Sequence, residues 1–269
     1  MALLEQEGLR LSYWDKGRGR ALLFVHGVGT SGELWAEDLA ALSDDCRLVV
    51  YDRRGYGASG DSPRDWEAHC DDAIALIEAL GAAPVVLVGY SGGSIVALDL
   101  ALRRPELVAG VVLLDPAFNV KRCLTPRLVR TLLSAKALER LRGPRAGAAR
   151  WMRYVGSYPD GGSAFDRASP ERRERLLSNS EAIFADLGSG GGEHIDESRL
   201  AEIGVPVTIV DAALSPLFLR RSCRRLRRLM PQARSVTLER SGHHIGLDSP
   251  DELREILRGA VAESAGLAA

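Results

Sequence analysis

No apolar run in the 269-residue sequence approaches the roughly 20 residues of a membrane-spanning helix. The first fourteen residues include Glu5, Glu7 and Arg10 and hold no signal-peptide-like apolar stretch, so a cytoplasmic address is expected. Cysteine is sparse and scattered: Cys46, Cys70, Cys123 and Cys223 form no CxxC pair, which argues against a zinc site or a tight disulfide framework and for reduced thiols. Neither sign of charge is in excess, because 35 basic and 36 acidic side chains leave a net charge of -1. Such a balance provides no global field for nucleic acid or an anionic membrane, and neither partner is expected without a local patch. Lysine is nearly absent: Lys16, Lys121 and Lys136 are the only ones, and the other 32 basic residues are arginines. Six of these (Arg220, Arg221, Arg224, Arg225, Arg227 and Arg228) crowd one stretch, but Leu217, Leu219, Leu226 and Leu229 are interleaved with them. That stretch reads as an amphipathic surface helix rather than a nucleic-acid contact.

What is present is an alternation of short apolar runs with helical patterns. The runs are Ala21 to Val25, Leu48 to Tyr51, Val85 to Val88, Val111 to Leu114, Val207 to Val210 and Ser235 to Leu238. Each is continuous, as expected for parallel strands covered by helices on both faces, and the class expected is α/β with a mostly parallel central sheet. Between about residues 117 and 203 the rhythm breaks. Arg-rich helical segments lie near 125–141, 146–155 and 170–187, with turn clusters at 157–162 and 188–192. The expected organisation is a core of residues 1–116 and 204–269 with a helical cap of residues 117–203 inserted between two strands.

Chemistry is concentrated at three places. Gly89-Tyr90-Ser91-Gly92-Gly93 joins the apolar run ending at Val88 to the helical pattern from Ser94, the strand–turn–helix context of a nucleophile elbow. A sharp turn there forces strained backbone angles, and the flanking glycines remove the Cβ atoms that would clash. The Gly92 N–H then points where an oxyanion forms, and the loop His26-Gly27-Val28-Gly29 offers Val28 N–H as its second donor, with His26 fixing the loop. Near the C-terminus, Ser241-Gly242-His243-His244 follows the last strand, where a histidine base can reach Ser91. Adjacent histidines diverge and no further ligands accompany them at metal spacing, so no metal and no cofactor are expected.

These residues, together with Trp35, the stretch Asp52-Arg53-Arg54-Gly55-Tyr56-Gly57, and Asp248 and Pro250 after Gly242-His243, resemble the α/β-hydrolase fold superfamily. The likeness covers about residues 10–116 and 204–262. It implies an α/β-hydrolase fold with an inserted helical cap and selects His243 as base. It also implies an acid in the loop after the next-to-last strand, where this chain carries Ser215. Haloalkane dehalogenases and zearalenone-type lactonases instead carry the acid after the strand that follows the elbow helix, and the residue there is Asp115, followed by Pro116. Asp115 is therefore the preferred acid, with Asp211 as the alternative.

The expectation is a serine hydrolase that cleaves a carboxylic ester or lactone of a small, largely apolar molecule through an acyl-enzyme on Ser91, with catalytic residues Ser91, Asp115 and His243. Tyr90, Phe118, Trp151, Tyr154, Phe184 and His244 are the expected pocket residues, and Phe165 is a further aromatic candidate. The rival readings are a non-hydrolytic ligand-binding protein, cyclase or lyase on the same fold, and a cofactor-free perhydrolase.

Overall fold

The computed structural model describes residues 1–6, 8–60 and 65–266. Its centre is an eight-stranded sheet: β1 (Ala2–Gln6), β2 (Leu9–Lys16), β3 (Ala21–Val25), β4 (Arg47–Tyr51), β5 (Val85–Tyr90), β6 (Val108–Leu114), β7 (Val207–Ala212) and β8 (Arg234–Leu238), in the order β1-β2-β4-β3-β5-β6-β7-β8. All neighbours pair in parallel from β4 onwards, and β2 alone runs against both of its neighbours. The six strands expected from apolar runs are β3 to β8. The β1–β2 hairpin is not among them because, apart from the buried Leu11 and Ser12, its residues are exposed or half-buried and supply no continuous apolar run.

Helices cover both faces: α1 (Gly32–Leu39), α2 (Trp66–Ala79) and α3 (Gly93–Arg103) in the first half of the chain. Between β6 and β7 come α4 (Pro126–Arg142), α5 (Pro144–Val155), α6 (Ala164–Arg167), α7 (Pro170–Ser178) and α8 (Ser180–Gly188), then α9 (Leu217–Leu229), α10 (Ile245–Asp248) and α11 (Pro250–Gly266) near the end. Strand alternation sorts the core into two layers. Leu23 and Val25 of β3 face a cluster with residues of α2, α3 and α9, whereas Leu22 and Phe24 face one with residues of α1 and α11. In α9, Leu219 and Leu226 are buried while Arg220, Arg224 and Arg228 are exposed, which is the amphipathic arrangement expected.

A third apolar cluster gathers Leu128, Ala148, Trp151, Met152, Tyr154, Phe165, Leu176 and Ile183 from the segment between β6 and β7, closed by Leu34, Phe218 and Leu219. Near the two ends of that segment, Phe118, Ile195, Leu200 and Ile203 are packed in the main core. The helix expected over 170–187 is two helices broken at Asn179, whose side chain accepts a hydrogen bond from Gly57 N (3.0 Å) and donates one to Arg175 O (3.2 Å). The contact with Gly57, 122 positions away along the chain, has no local sequence signature.

Candidate active site

At the end of β5 the chain turns through Ser91 with φ +53° and enters α3. A left-handed serine costs on the order of 1 kcal/mol, and three backbone bonds hold it there: Ser91 N donates to Leu114 O (2.9 Å), and Ser91 O accepts from Ser94 N (3.1 Å) and Ala117 N (3.0 Å). Crowding explains the flanking glycines. A Cβ on Gly89 would stand 2.6 Å from Ser94 Cα, and one on Gly93 would stand 2.2 Å from Val25 O. Among the described residues the Ser91 hydroxyl makes no hydrogen bond, and Ser91 borders a cavity.

His243 lies in the loop between β8 and α10, and its Nδ1 is 2.6 Å from Asp115 Oδ2. Asp115 follows β6 with φ +41° and is anchored by its own N–H on Val210 O (2.7 Å). Ser215 Oγ donates to the same Asp115 Oδ2 (2.6 Å), and the Cys223 thiol points at Oδ1 (3.8 Å). Burial and the Asp115 charge push the Cys223 pKa well up, so it stays a neutral thiol. The alternative acid, Asp211, instead accepts from Thr237 Oγ1 (2.9 Å) and pairs with Arg227. Asp248 secures the histidine loop by accepting from Gly242 N (2.8 Å) and from the Tyr158 hydroxyl (2.7 Å).

Val28 and Gly92 both border the cavity, and among the described residues neither backbone N–H is used in an internal hydrogen bond. The loop carrying Val28 is fixed from behind by His26. Arg53 N–H donates into His26 Nε2 (2.9 Å), which leaves the proton on Nδ1 to donate to Gly27 O (2.8 Å). Burial, and after it the Arg53 charge, holds the His26 pKa well below the usual range, so the ring is neutral.

The cavity has a volume of about 220 Å³ and is walled chiefly by apolar side chains, among them Trp66, Ile95, Leu128, Leu132, Trp151 and Phe218. Of the expected pocket residues only Trp151 is on this wall. The other five, and Phe165, are placed elsewhere. Tyr90 stacks on His243 (4.9 Å between ring centres) and donates to its carbonyl (2.9 Å), a supporting position. Phe118 is fully buried in the main core, Tyr154 stacks on Phe218, and Phe184 packs against Gly147 and Lys136 between α4 and α5. Phe165 is buried in the third cluster.

His244 turns away under the end of α5, where a Cβ on Gly156 would meet its Nε2 at 3.0 Å. Burial, then the nearness of His243 and the Arg172 charge, lowers its pKa to about 3, and among the described residues its Nε2 has no partner. The two histidine rings are 6.1 Å apart at 78°. No group of three or more His, Cys, Asp or Glu among the described residues is placed to hold a metal ion. The wall residues Trp66 and Phe218 escaped sequence reading because apolar residues of a core helix and of a cavity wall carry the same periodicity.

Known proteins agree with this architecture. The chain is 29% identical over 238 residues to a putative carbamate hydrolase RutD of Pseudomonas savastanoi pv. phaseolicola, covering 85% of this chain and 88% of that one. A protein of the same description from Agrobacterium fabrum is 28% identical, covering 86% and 88%. Among solved structures, a thermophilic esterase from Thermogutta terrifontis superposes with a TM-score of 0.77 at 24% identity, covering 95% of this chain and 94% of that one. An enol-lactonase from Burkholderia xenovorans LB400 does so with a TM-score of 0.77 at 19% identity, covering 97% and 100%. The family model described as the alpha/beta hydrolase family matches residues 22–256, and the chain belongs to that family.

Proposed function

We propose that the protein is a serine hydrolase that cleaves a carboxylic ester or lactone of a small, largely apolar molecule through an acyl-enzyme on Ser91. The observation that carries this reading is the 2.6 Å contact between Asp115 and His243 Nδ1, in a chain whose elbow serine borders an apolar cavity. Nδ1–H on the carboxylate leaves His243 Nε2 as the base for the Ser91 proton. Ser91 Oγ attacks the acyl carbonyl, and the N–H groups of Val28 and Gly92 receive the oxyanion. His243 returns the proton to the leaving alcohol, and a water activated by the same histidine releases the acid. Residues 117–203 act as the cap that supplies Trp151, Leu128 and Leu132 to the acyl pocket.

A carbamate is the second reading, favoured by the curated relatives, which are described as putative carbamate hydrolases. It uses the same nucleophile. Incubation with a fluorophosphonate probe is expected to label the wild-type chain at Ser91 and to leave the Ser91→Ala variant unlabelled; an inert serine in folded protein overturns both readings. Turnover of p-nitrophenyl esters beside an aryl carbamate separates them. If the cavity holds the acyl chain, Leu132→Phe should lower kcat/KM for a hexanoyl ester about 10-fold relative to the acetyl ester, since misfit of a methylene or two is worth roughly 1–3 kcal/mol. An unchanged chain-length preference would move the acyl group elsewhere.

A further inference from the structure

Behind the oxyanion loop lies a buried ion pair that the proposed mechanism does not use. Arg53 and Asp186 are both essentially inaccessible, with side-chain exposures of 0% and 1%. Arg53 comes from the loop after β4, and Asp186 from α8, in the segment between β6 and β7. Arg53 Nη2 is 2.6 Å from Asp186 Oδ2, the Tyr56 hydroxyl donates to the same oxygen at 2.6 Å, and His69 Nε2 is 3.3 Å from Oδ1. Arg53 also lies over the rings of Tyr56 (4.7 Å) and Trp66 (5.0 Å), so its guanidinium is held on every side seen.

The other contacts of that guanidinium reach the backbone of the oxyanion loop. Arg53 Nε donates to His26 O (3.0 Å), and Nη2 also approaches Gly27 O (3.4 Å), which already accepts from His26 Nδ1 (2.8 Å). The Gly27 carbonyl and the Val28 N–H belong to one peptide unit, which is planar and trans, so they point in opposite directions. Fixing the carbonyl on the Arg53 side fixes the N–H on the other. Donation to the carbonyl by a cation also polarises the same unit and strengthens the N–H as a donor. Asp186 is also among the residues bordering the cavity, so the residue that holds Arg53 sits directly behind the wall that substrate would meet.

Resting on the serine-hydrolase reading above, we infer that Arg53 and Asp186 are positioning residues. Together they orient the Val28 N–H as oxyanion donor and make that orientation depend on the seating of α8. A buried pair need not be present for stability, because apolar residues of similar volume commonly replace one at little cost, whereas removal of one partner leaves an uncompensated charge. That difference separates a structural role from this one.

The test is the double variant Arg53→Met/Asp186→Leu, which removes both charges and retains the backbone bond from residue 53 to His26 Nε2. It is assayed beside wild type with an aryl ester and with a boronic acid that forms a tetrahedral adduct on the serine. The expected result is folded protein with a melting temperature several degrees lower, because the Tyr56 hydroxyl and His69 lose their acceptor, with kcat lower by about 10- to 100-fold, KM within twofold, and boronate affinity weakened in parallel with kcat. Loss of one oxyanion donor costs about 10²–10³ in kcat, and a misaimed donor should cost less. A folded double variant with kcat and boronate affinity within twofold of wild type overturns the inference.

Arg53→Lys is measured alongside, because it keeps a cation beside Asp186 and leaves that carboxylate in place, yet its single ammonium lacks the planar fork that holds Asp186 and both loop carbonyls at once. A fall in kcat of about fivefold or more at constant KM is expected. A rise in KM at constant kcat would assign the pair to substrate contact and overturn the positioning role. This variant decides the matter if the double variant does not fold. Wild-type protein that neither turns over ester nor reacts with fluorophosphonate would instead remove the serine-hydrolase reading itself.

Discussion

Replacing Ser91 with alanine should lower kcat for ester hydrolysis on the order of 10⁵- to 10⁶-fold while leaving the fold intact, with His243→Ala falling to a similar floor. The size of the effect follows from the division of labour. In the proposed mechanism the oxyanion donors and the apolar pocket survive both substitutions and retain a residual acceleration on the order of 10³–10⁴ over water, whereas the nucleophile and its base act as one unit. The double variant should therefore be no slower than either single one. Stability is a separate readout: among the described residues the Ser91 hydroxyl makes no hydrogen bond, and the backbone bonds to Leu114, Ser94 and Ala117 do not involve it. Ser91→Ala should thus melt within a few degrees of wild type. A large loss of stability with a proportionate loss of activity would mean that the elbow is structural. Retention of kcat within tenfold would overturn the acyl-enzyme.

The parts of the site that were legible in sequence are those in which chemistry and local backbone coincide. Ser91 is flagged by glycines that the turn requires, since Cβ atoms at Gly89 and Gly93 would collide with Ser94 and Val25. The strands β3 to β7 were legible because covered parallel strands must be continuously apolar, as the fully buried β3 and β5 are, whereas the edge strand β8 is largely exposed and buries only Leu238. Legibility ended where position depends on long-range packing. Tyr154 and Phe184 have the composition of pocket residues, yet one stacks on Phe218 and the other packs against Gly147, while Trp66 from a core helix reaches the cavity wall. The Arg53–Asp186 pair lies 133 positions apart along the chain and has no motif that joins its two ends.

With Asp115 as the proposed acid, the serine at position 215 has a supporting place. Ser215 Oγ and His243 Nδ1 are each 2.6 Å from the same oxygen of Asp115, so the hydroxyl supplements the carboxylate instead of replacing it. A carboxylate held by a donor hydroxyl, a buried thiol and an imidazole has little freedom to rotate. Ser215→Ala should therefore cost only a few-fold in kcat, because a net hydrogen bond to a charged group is worth about 1.5–3 kcal/mol and only part of it changes between ground and transition states.

Asp115→Asn should lower kcat by about 10⁴-fold, whereas Asp211→Asn should leave it within a few-fold. An asparagine at 115 offers His243 Nδ1 either an oxygen or an N–H, and the latter favours the wrong tautomer, in which Nε2 carries the proton and cannot take one from Ser91. It also removes the charge that stabilises the imidazolium. Asp211 is engaged by Thr237 and Arg227, so its substitution should appear in melting temperature rather than in turnover. Equal losses from the two variants, or a larger one from Asp211→Asn, would exchange the assignments. The shared contact at Asp115 Oδ2 allows a stricter version. In Asp115→Asn/Ser215→Asp a carboxylate returns within one bond length of the position that Ser215 Oγ now occupies, and kcat should recover at least tenfold over Asp115→Asn alone. Ser215→Asp by itself should be destabilised, because it confines two carboxylates to one buried site where both cannot readily ionise. Recovery in the double variant together with injury in the single one would establish that His243 needs one negative charge at this junction, supplied from either strand end.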